Sequence, residues 1–196
     1  MKWIPPDLEK AKGVVGTLIE AGGGRFESKT RLNAAFWWAH LHFYRHHEGL
    51  LSRYPIARLP EGPAILDADD LIADLERQER IKVAITSAGG CPQYHFELLP
   101  ADSLPLTDDA IDSIRAAWAW VKSKSAAEAS LESRKLSRGW RSGRDGDIID
   151  YANDALSEAD LMESQKTIQA MDDNLKWAGK MISDAFSEGG QARQVL

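Results

Sequence analysis

The chain has 196 residues, a formal net charge of −6, 43% apolar and 28% charged residues, and a single cysteine, Cys91. That length suits one well-buried domain with room for an appendage. The acidic balance argues against a dedicated nucleic-acid binder, whose affinity comes largely from neutralising phosphates. One cysteine excludes an internal disulfide framework and fits a reducing compartment. The start, MKWIPPDLEK, lacks an apolar signal region, and no run approaches the ~18 apolar residues of a membrane span; a cytoplasmic protein is expected.

Pro5-Pro6-Asp7 reads as a helix start with Asp7 as N-cap, and Leu8, Ala11, Val15 and Leu18 follow at helical spacing with Ile19 beside them. Gly22-Gly23-Gly24 ends that helix and permits a left-handed turn. The glycines match neither a P-loop nor a dinucleotide fingerprint, because they follow a helix rather than a strand.

Ser28 to Gly49, SKTRLNAAFWWAHLHFYRHHEG, is the organising stretch. It has no glycine or proline between its ends, and Ser28 is a good N-cap. At about 100° per residue, Leu32, Phe36, Trp37, Ala39, Leu41, Phe43 and Tyr44 fill a broad apolar arc. Arg31, His42, Arg45 and His46 take the other face, His40 and His47 project into the arc, and Trp38 falls among the arginines on the wet side. An arc this wide predicts a central helix packed on two or more sides. An outward tryptophan beside arginines is the composition of a protein-contact surface.

Arg53 to Pro63 reads as an extended, proline-punctuated connection. Either Pro63 in a first turn or Asp67 as a cap opens the next helix, which runs to about Glu79 with Leu71, Ile72 and Leu75 inward. Ile81–Thr86 and Gln93–Leu99 have strand composition around the turn SAGGCP, giving a hairpin near residues 81–99. Thr107 caps a helix striped by Ile111, Ile114, Trp118 and Val121. Ser125 and Glu128 have capping-box spacing and open another. Arg134–Asp147, RKLSRGWRSGRDGD, is basic and irregular, and Ile148–Ala155 holds a short helical turn. Ser157 begins a long last helix reaching about Phe186, with Leu161, Ile168, Leu175 and Ile182 seven apart. That stripe either docks on its own domain or forms a homodimer seam, and the tail beyond it is frayed. The expected class is mainly α with a small β-hairpin (α+β): a compact helical domain over 1–156 around the central helix, then residues 157–196 as the long helix and tail.

Signals for chemistry are thin. His42 and His46 stand four apart on one helical face, as zinc ligands do, but a third ligand is not evident and no glutamate sits between them as in a metalloprotease. Glu48 and His95 add no spacing that would complete such a site. Cys91 and His95 are separated by ~13 Å if extended, no G-x-S-x-G occurs, and Asp67, Asp69, Asp70 and Asp74 lack the EF-hand pattern. No cofactor, no metal and no catalytic residue is therefore assigned. The order helix, helix, helix, hairpin is winged-helix-like, yet the element that would enter a DNA groove exposes Asp67, Asp70, Asp74 and Glu76. The basic segment carries Arg134, Lys135, Arg138, Arg141 and Arg144 around Trp140, and Arg with Trp are the residues most enriched at binding hot spots. Trp140 either plugs a local core or contacts a partner.

These motifs, in this order, resemble the Panacea (SocA-like) antitoxin domain of bacterial and phage toxin–antitoxin modules. The resemblance runs from about Asp7 to Tyr151. It rests on the first helix with its glycine turn, then Leu32, Phe36 and His40, where Asn33-Ala34-Ala35 departs from the family's lysine. Pro60-Glu61-Gly62-Pro63 follows before the acidic helix and hairpin, and a closing segment matches at Ser130, Ser133, Trp140, Gly146 and Ile148, with Arg134 where the family usually has histidine. The resemblance implies a non-catalytic antitoxin that neutralises a toxin encoded beside it by direct contact. Arg138, Trp140, Arg141, Trp38 and Arg134 are the expected partner-binding residues. A DNA-binding regulator and a His-cluster metal-dependent hydrolase are the alternatives.

Overall fold

The computed structural model describes residues 7–88, 90–100, 105–155 and 176–177. The chain divides into two units, Met1–Ala155 and Leu156–Leu196. The heptad-like stripe and the expected long last helix lie outside the described residues, apart from the helical pair Lys176 and Trp177.

In the first unit, α1 (Leu8–Ala21) starts at Asp7, but the Asp7 carboxylate does not cap it; it accepts the Arg53 backbone N–H at 2.9 Å. The glycine turn ends α1, with Gly23 and Gly24 at φ 77° and 83°. A side chain at Gly22 would run into the Arg25 carbonyl. That tight turn leads into β1 (Arg25–Glu27), a strand too short to register as alternation in the sequence.

The central helix is α2 (Lys29–His46), capped as expected: the Ser28 hydroxyl accepts from Arg31 N at 3.4 Å. Leu32, Ala34, Ala35, Phe36, Trp37, Ala39, His40, Leu41 and Phe43 are all buried, so α2 is covered nearly all round. Tyr44 and His47 depart from expectation. Tyr44 is 37% exposed, and His47 lies past the helix end, its ring over Phe43 and Nδ1 3.6 Å from Asp109.

The stretch expected as a plain connection forms a second, two-stranded antiparallel sheet, β2 (Ile56–Leu59) with β3 (Gly62–Ile65). Pro63 lies in β3, opposite Arg58, and does not open a helix. α3 (Ala68–Arg77) follows, with Asp67 at its start in the left-handed region but not capping it by its side chain. Leu71, Ile72 and Leu75 face inward as expected. Lys12, buried on α1, reaches the carboxylates of Glu9 and of Asp74 on α3. The hairpin is β4 (Ile81–Ala88) with β5 (Cys91–Leu98), and β1 completes a three-stranded antiparallel sheet in the order β1-β5-β4.

α4 (Asp108–Val121) is capped by Thr107, and α5 (Ala126–Leu136) opens on a full Ser125–Glu128 capping box. Two short helices, α6 (Arg138–Ser142) and α7 (Tyr151–Ala155), occupy the segment expected to be irregular and the short turn after it. α2 packs against α1, α4, α5, α7 and β3. The class is mixed α and β, with more strand than a single hairpin. Because β2 and β3 intervene, α2 and α3 are not joined by the short turn of a helix-turn-helix.

Candidate protein-contact surface

Of the expected contact residues, Arg138, Trp140 and Arg141 lie on α6 and Arg134 reaches the Trp140 ring from α5, and the way α6 is held begins with one carboxylate. Asp154 on α7 is 2% exposed. Its Oδ2 accepts the indole N–H of buried Trp37 at 2.9 Å, and its Oδ1 accepts the Gly139 backbone N–H at 2.8 Å. Two N–H donors converging on a buried carboxylate are a strong, charge-assisted arrangement. They tie the start of α6 to the middle of α2. Gly139 sits so close that an added Cβ would lie 2.8 Å from Ile149 Cγ2. The Ser137 hydroxyl accepts from Trp140 N at 2.9 Å and so caps α6.

Trp140 is half-buried and serves as a plug, with its indole N–H donating to the Leu59 carbonyl at 2.7 Å. Two guanidinium groups lie over its ring, Arg58 at 4.4 Å and Arg134 at 5.5 Å from the centroid. Arg58 also donates from Nε to the Trp140 carbonyl at 2.7 Å and pairs with Asp145. The loop after α6 is pinned to β2 by Arg58 N to the Asp147 carbonyl and Gly146 N to the Arg58 carbonyl, both 2.8 Å. Arg134 is half-buried, with Nε donating to the Ser130 carbonyl at 3.3 Å. Arg138 is half-buried, and its buried Nη1 has no hydrogen-bond partner among the described residues. Lys135, Arg141 and Arg144 are exposed. The result is a basic platform whose centre is fixed by hydrogen bonds and whose rim is solvated cation.

Trp38 does not join this surface as an outward indole. It is half-buried, stacked on Trp120 of α4 with centroids 4.9 Å apart and planes 10° apart, and 5.8 Å from Trp37. The expected place for it, among the arginines on the wet side, is corrected: a second helix, which the helical wheel of α2 does not contain, covers it. Arg31 is drawn in likewise, donating to the Val121 and Lys122 carbonyls at the end of α4. Arg58 and Asp154 were not singled out in the sequence, and nothing local marks them, since their partners lie 82 and 117 residues away.

The histidines divide by environment. His40 is buried, its Nδ1 2.8 Å from the Phe36 carbonyl and its Nε2 2.6 Å from Ser52 Oγ. A carbonyl only accepts, so Nδ1 carries the proton and Nε2 accepts from the Ser52 hydroxyl. Burial pushes this imidazole down to about 4. The pair has serine–histidine contact, but Ser52 and His40 are 0% and 1% exposed, which closes it to substrate. His42 and His46 have ring centroids 4.3 Å apart, and His42 Nδ1 lies 3.1 Å from Ser113 Oγ. His42 is held below the usual imidazole range, first by burial and then by His46. Among the described residues no three His, Cys, Asp or Glu side chains group as a metal site requires.

A cleft of about 670 Å³ opens beside the first turns of α2 and α5, lined by Thr30, Asn33, Glu61, Tyr94, His95 and Ser125 among others. His95 Nε2 lies 3.1 Å from Thr86 Oγ1 on the neighbouring strand, and the Lys29 ammonium is paired with Asp69 at 2.6 Å. Around α3, Asp67, Asp69, Asp70 and Glu76 are exposed, a surface that repels phosphate. Among the described residues no helix is long and apolar enough to cross a membrane. Comparison with protein-family models, curated proteins and solved structures finds no match.

Proposed function

We propose that the chain is a non-catalytic antitoxin that neutralises a partner protein by direct contact, with the α6 platform as part of the contact. One observation carries this reading. A chain of net charge −6 concentrates Arg134, Lys135, Arg138, Arg141 and Arg144 around one half-buried indole. The hydrogen bonds to Asp154 and Leu59, and those between Arg58 and the following loop, hold that segment in place before any partner arrives. Preorganisation lowers the ordering cost of binding, and arginine beside a fixed aromatic is typical of interface hot spots. The partner it fits presents an acidic patch, because rim arginines gain most from opposite charge and steer its approach. The resemblance to the Panacea domain supplies the class of that partner: a toxin encoded beside this chain.

The test is co-expression with the neighbouring gene product. The wild-type chain rescues growth and co-purifies with that product. Charge reversal at two exposed rim positions, Arg141→Glu with Arg144→Glu, abolishes rescue and capture while leaving the thermal midpoint within a few degrees. Trp140→Ala is the wrong probe because that indole anchors the loop. If the double reversal still neutralises the toxin, the platform is not the contact surface. A neighbouring product that is harmless alone overturns the antitoxin reading itself.

A further inference from the structure

The last turn of α2 sets two imidazoles side by side. His42 and His46 stand four residues apart on one helical face, with ring centroids 4.3 Å apart and ring planes tilted by 39°. The two rings are held differently. His42 is half-buried against α4, with Nδ1 3.1 Å from the hydroxyl oxygen of buried Ser113. His46 is exposed, so its ring can turn about its own bonds while His42 stays in place. The neighbouring cations are engaged elsewhere. Arg45, between the two in sequence, donates from Nη2 to the Asp154 carbonyl at 3.1 Å, and His47 faces Asp109 and the Phe43 ring.

We propose that His42 and His46 together chelate one divalent transition-metal ion of the zinc, nickel and copper class. Imidazoles at i and i+4 are the ligand spacing on which helical zinc sites are built. A tetrahedral ion about 2.05 Å from each nitrogen sets the two nitrogens about 3.4 Å apart. Rings already 4.3 Å apart reach that separation by side-chain rotation. His42 binds through Nε2, because its Nδ1 is turned to Ser113. With Nε2 on the ion, Nδ1 carries the proton and donates it to the Ser113 hydroxyl oxygen, which is how metal-binding histidines are usually oriented. The negative end of the α2 dipole also favours a cation at this turn. Nitrogen ligands select zinc, nickel and copper over magnesium and calcium, which take oxygen. Two imidazoles fall short of the closed four-ligand cage of a structural zinc, so water fills the other positions and the ion exchanges freely. The site shares no residue with the α6 platform and is independent of the antitoxin reading.

Half the ligand set of a closed zinc site supplies about half its binding free energy, which corresponds to an affinity on the order of 1–100 µM. Isothermal titration of the tag-free full chain at about pH 7.5 should find one Ni²⁺ or Zn²⁺ per chain in that range, and no uptake of Mg²⁺. His46→Ala and His42→Ala should each weaken binding at least about tenfold. Ser113→Ala should weaken it about tenfold by releasing the His42 ring, whereas His95→Ala should leave it unchanged. Addition of about 1 mM Ni²⁺ should raise the thermal midpoint of the wild type by a few degrees and leave that of His46→Ala where it was. A wild-type chain that takes up no Ni²⁺ or Zn²⁺ below about 1 mM overturns the proposal. So does a His46→Ala chain that binds as tightly as the wild type, which would place the ion elsewhere. If His42→Ala or Ser113→Ala fails to fold, the exposed His46 and its alanine variant decide the matter.

Discussion

Replacing Asp154 by alanine leaves two donors stranded at once. The Trp37 indole N–H and the Gly139 backbone N–H both end on this carboxylate, at 2.9 and 2.8 Å, inside a region where Asp154 is 2% and Trp37 0% exposed. A buried donor without an acceptor costs about 1–3 kcal/mol, so with two of them Asp154→Ala should cost about 2–6 kcal/mol. That is a large share of the ~5–15 kcal/mol by which domains of this kind are stable. Asp154→Asn keeps one acceptor oxygen and turns an amide N–H₂ toward the other donor, so it should cost less than alanine but remain clearly destabilising. Urea unfolding followed by tryptophan fluorescence measures this as a fall in midpoint with little change in slope. Adding Trp37→Phe separates the hydrogen bond from packing. In the Asp154→Ala background the indole N–H is already unsatisfied, so its removal should cost less than in the wild type. An Asp154→Ala midpoint within about 1 kcal/mol of wild type, or strict additivity of the two changes, would refute the reasoning.

Two further expectations concern the same core. His40, pushed down to about 4 by burial, sits below the ~6.5 of an unfolded histidine, so the unfolded state takes the proton first. Stability is then full above about pH 6.5 and falls as pH drops toward about 4, by roughly 3 kcal/mol over that window. His42, shifted the same way by burial, adds to it. Asp74 lies below the usual carboxylate range, chiefly through its hydrogen bond from Lys12, and its contribution is lost at still lower pH. A urea midpoint that is flat between pH 7 and pH 4.5 would contradict this. Gly139→Ala should cost about 1–3 kcal/mol by overpacking against Ile149, whereas alanine at Gly16, where an added Cβ meets nothing within 4 Å, should be neutral or stabilising; equal midpoints for the two variants would show that α6 can shift to make room.

Much of this chain was legible residue by residue. Helix caps at Ser28, Thr107 and Ser125 act over three residues, so local order reveals them, and all three cap in the structure. Hydrophobic spacing likewise marked the inward faces of α1, α2 and α3. Signals failed where the deciding partner was distant. β2 and β3 went unread because Ile56–Ile65 is broken by Pro60 and Pro63 and too short for alternation. Asp67 looked like a side-chain cap, yet it occupies the left-handed region and makes no such bond.

Sequence alone thus determined the local grammar: a central helix apolar nearly all round, its caps, a glycine turn, an outer hairpin, and a cluster of arginines on an acidic chain. Only the tertiary structure decided which polar and aromatic groups face solvent. Trp38 was turned inward because Trp120 lies against it, and Trp140 became an anchor because the Leu59 carbonyl and the Arg58 guanidinium are there to meet it. The physical reason is that a side chain's periodicity fixes its direction on its own helix, whereas burial depends on what a remote segment brings to that face.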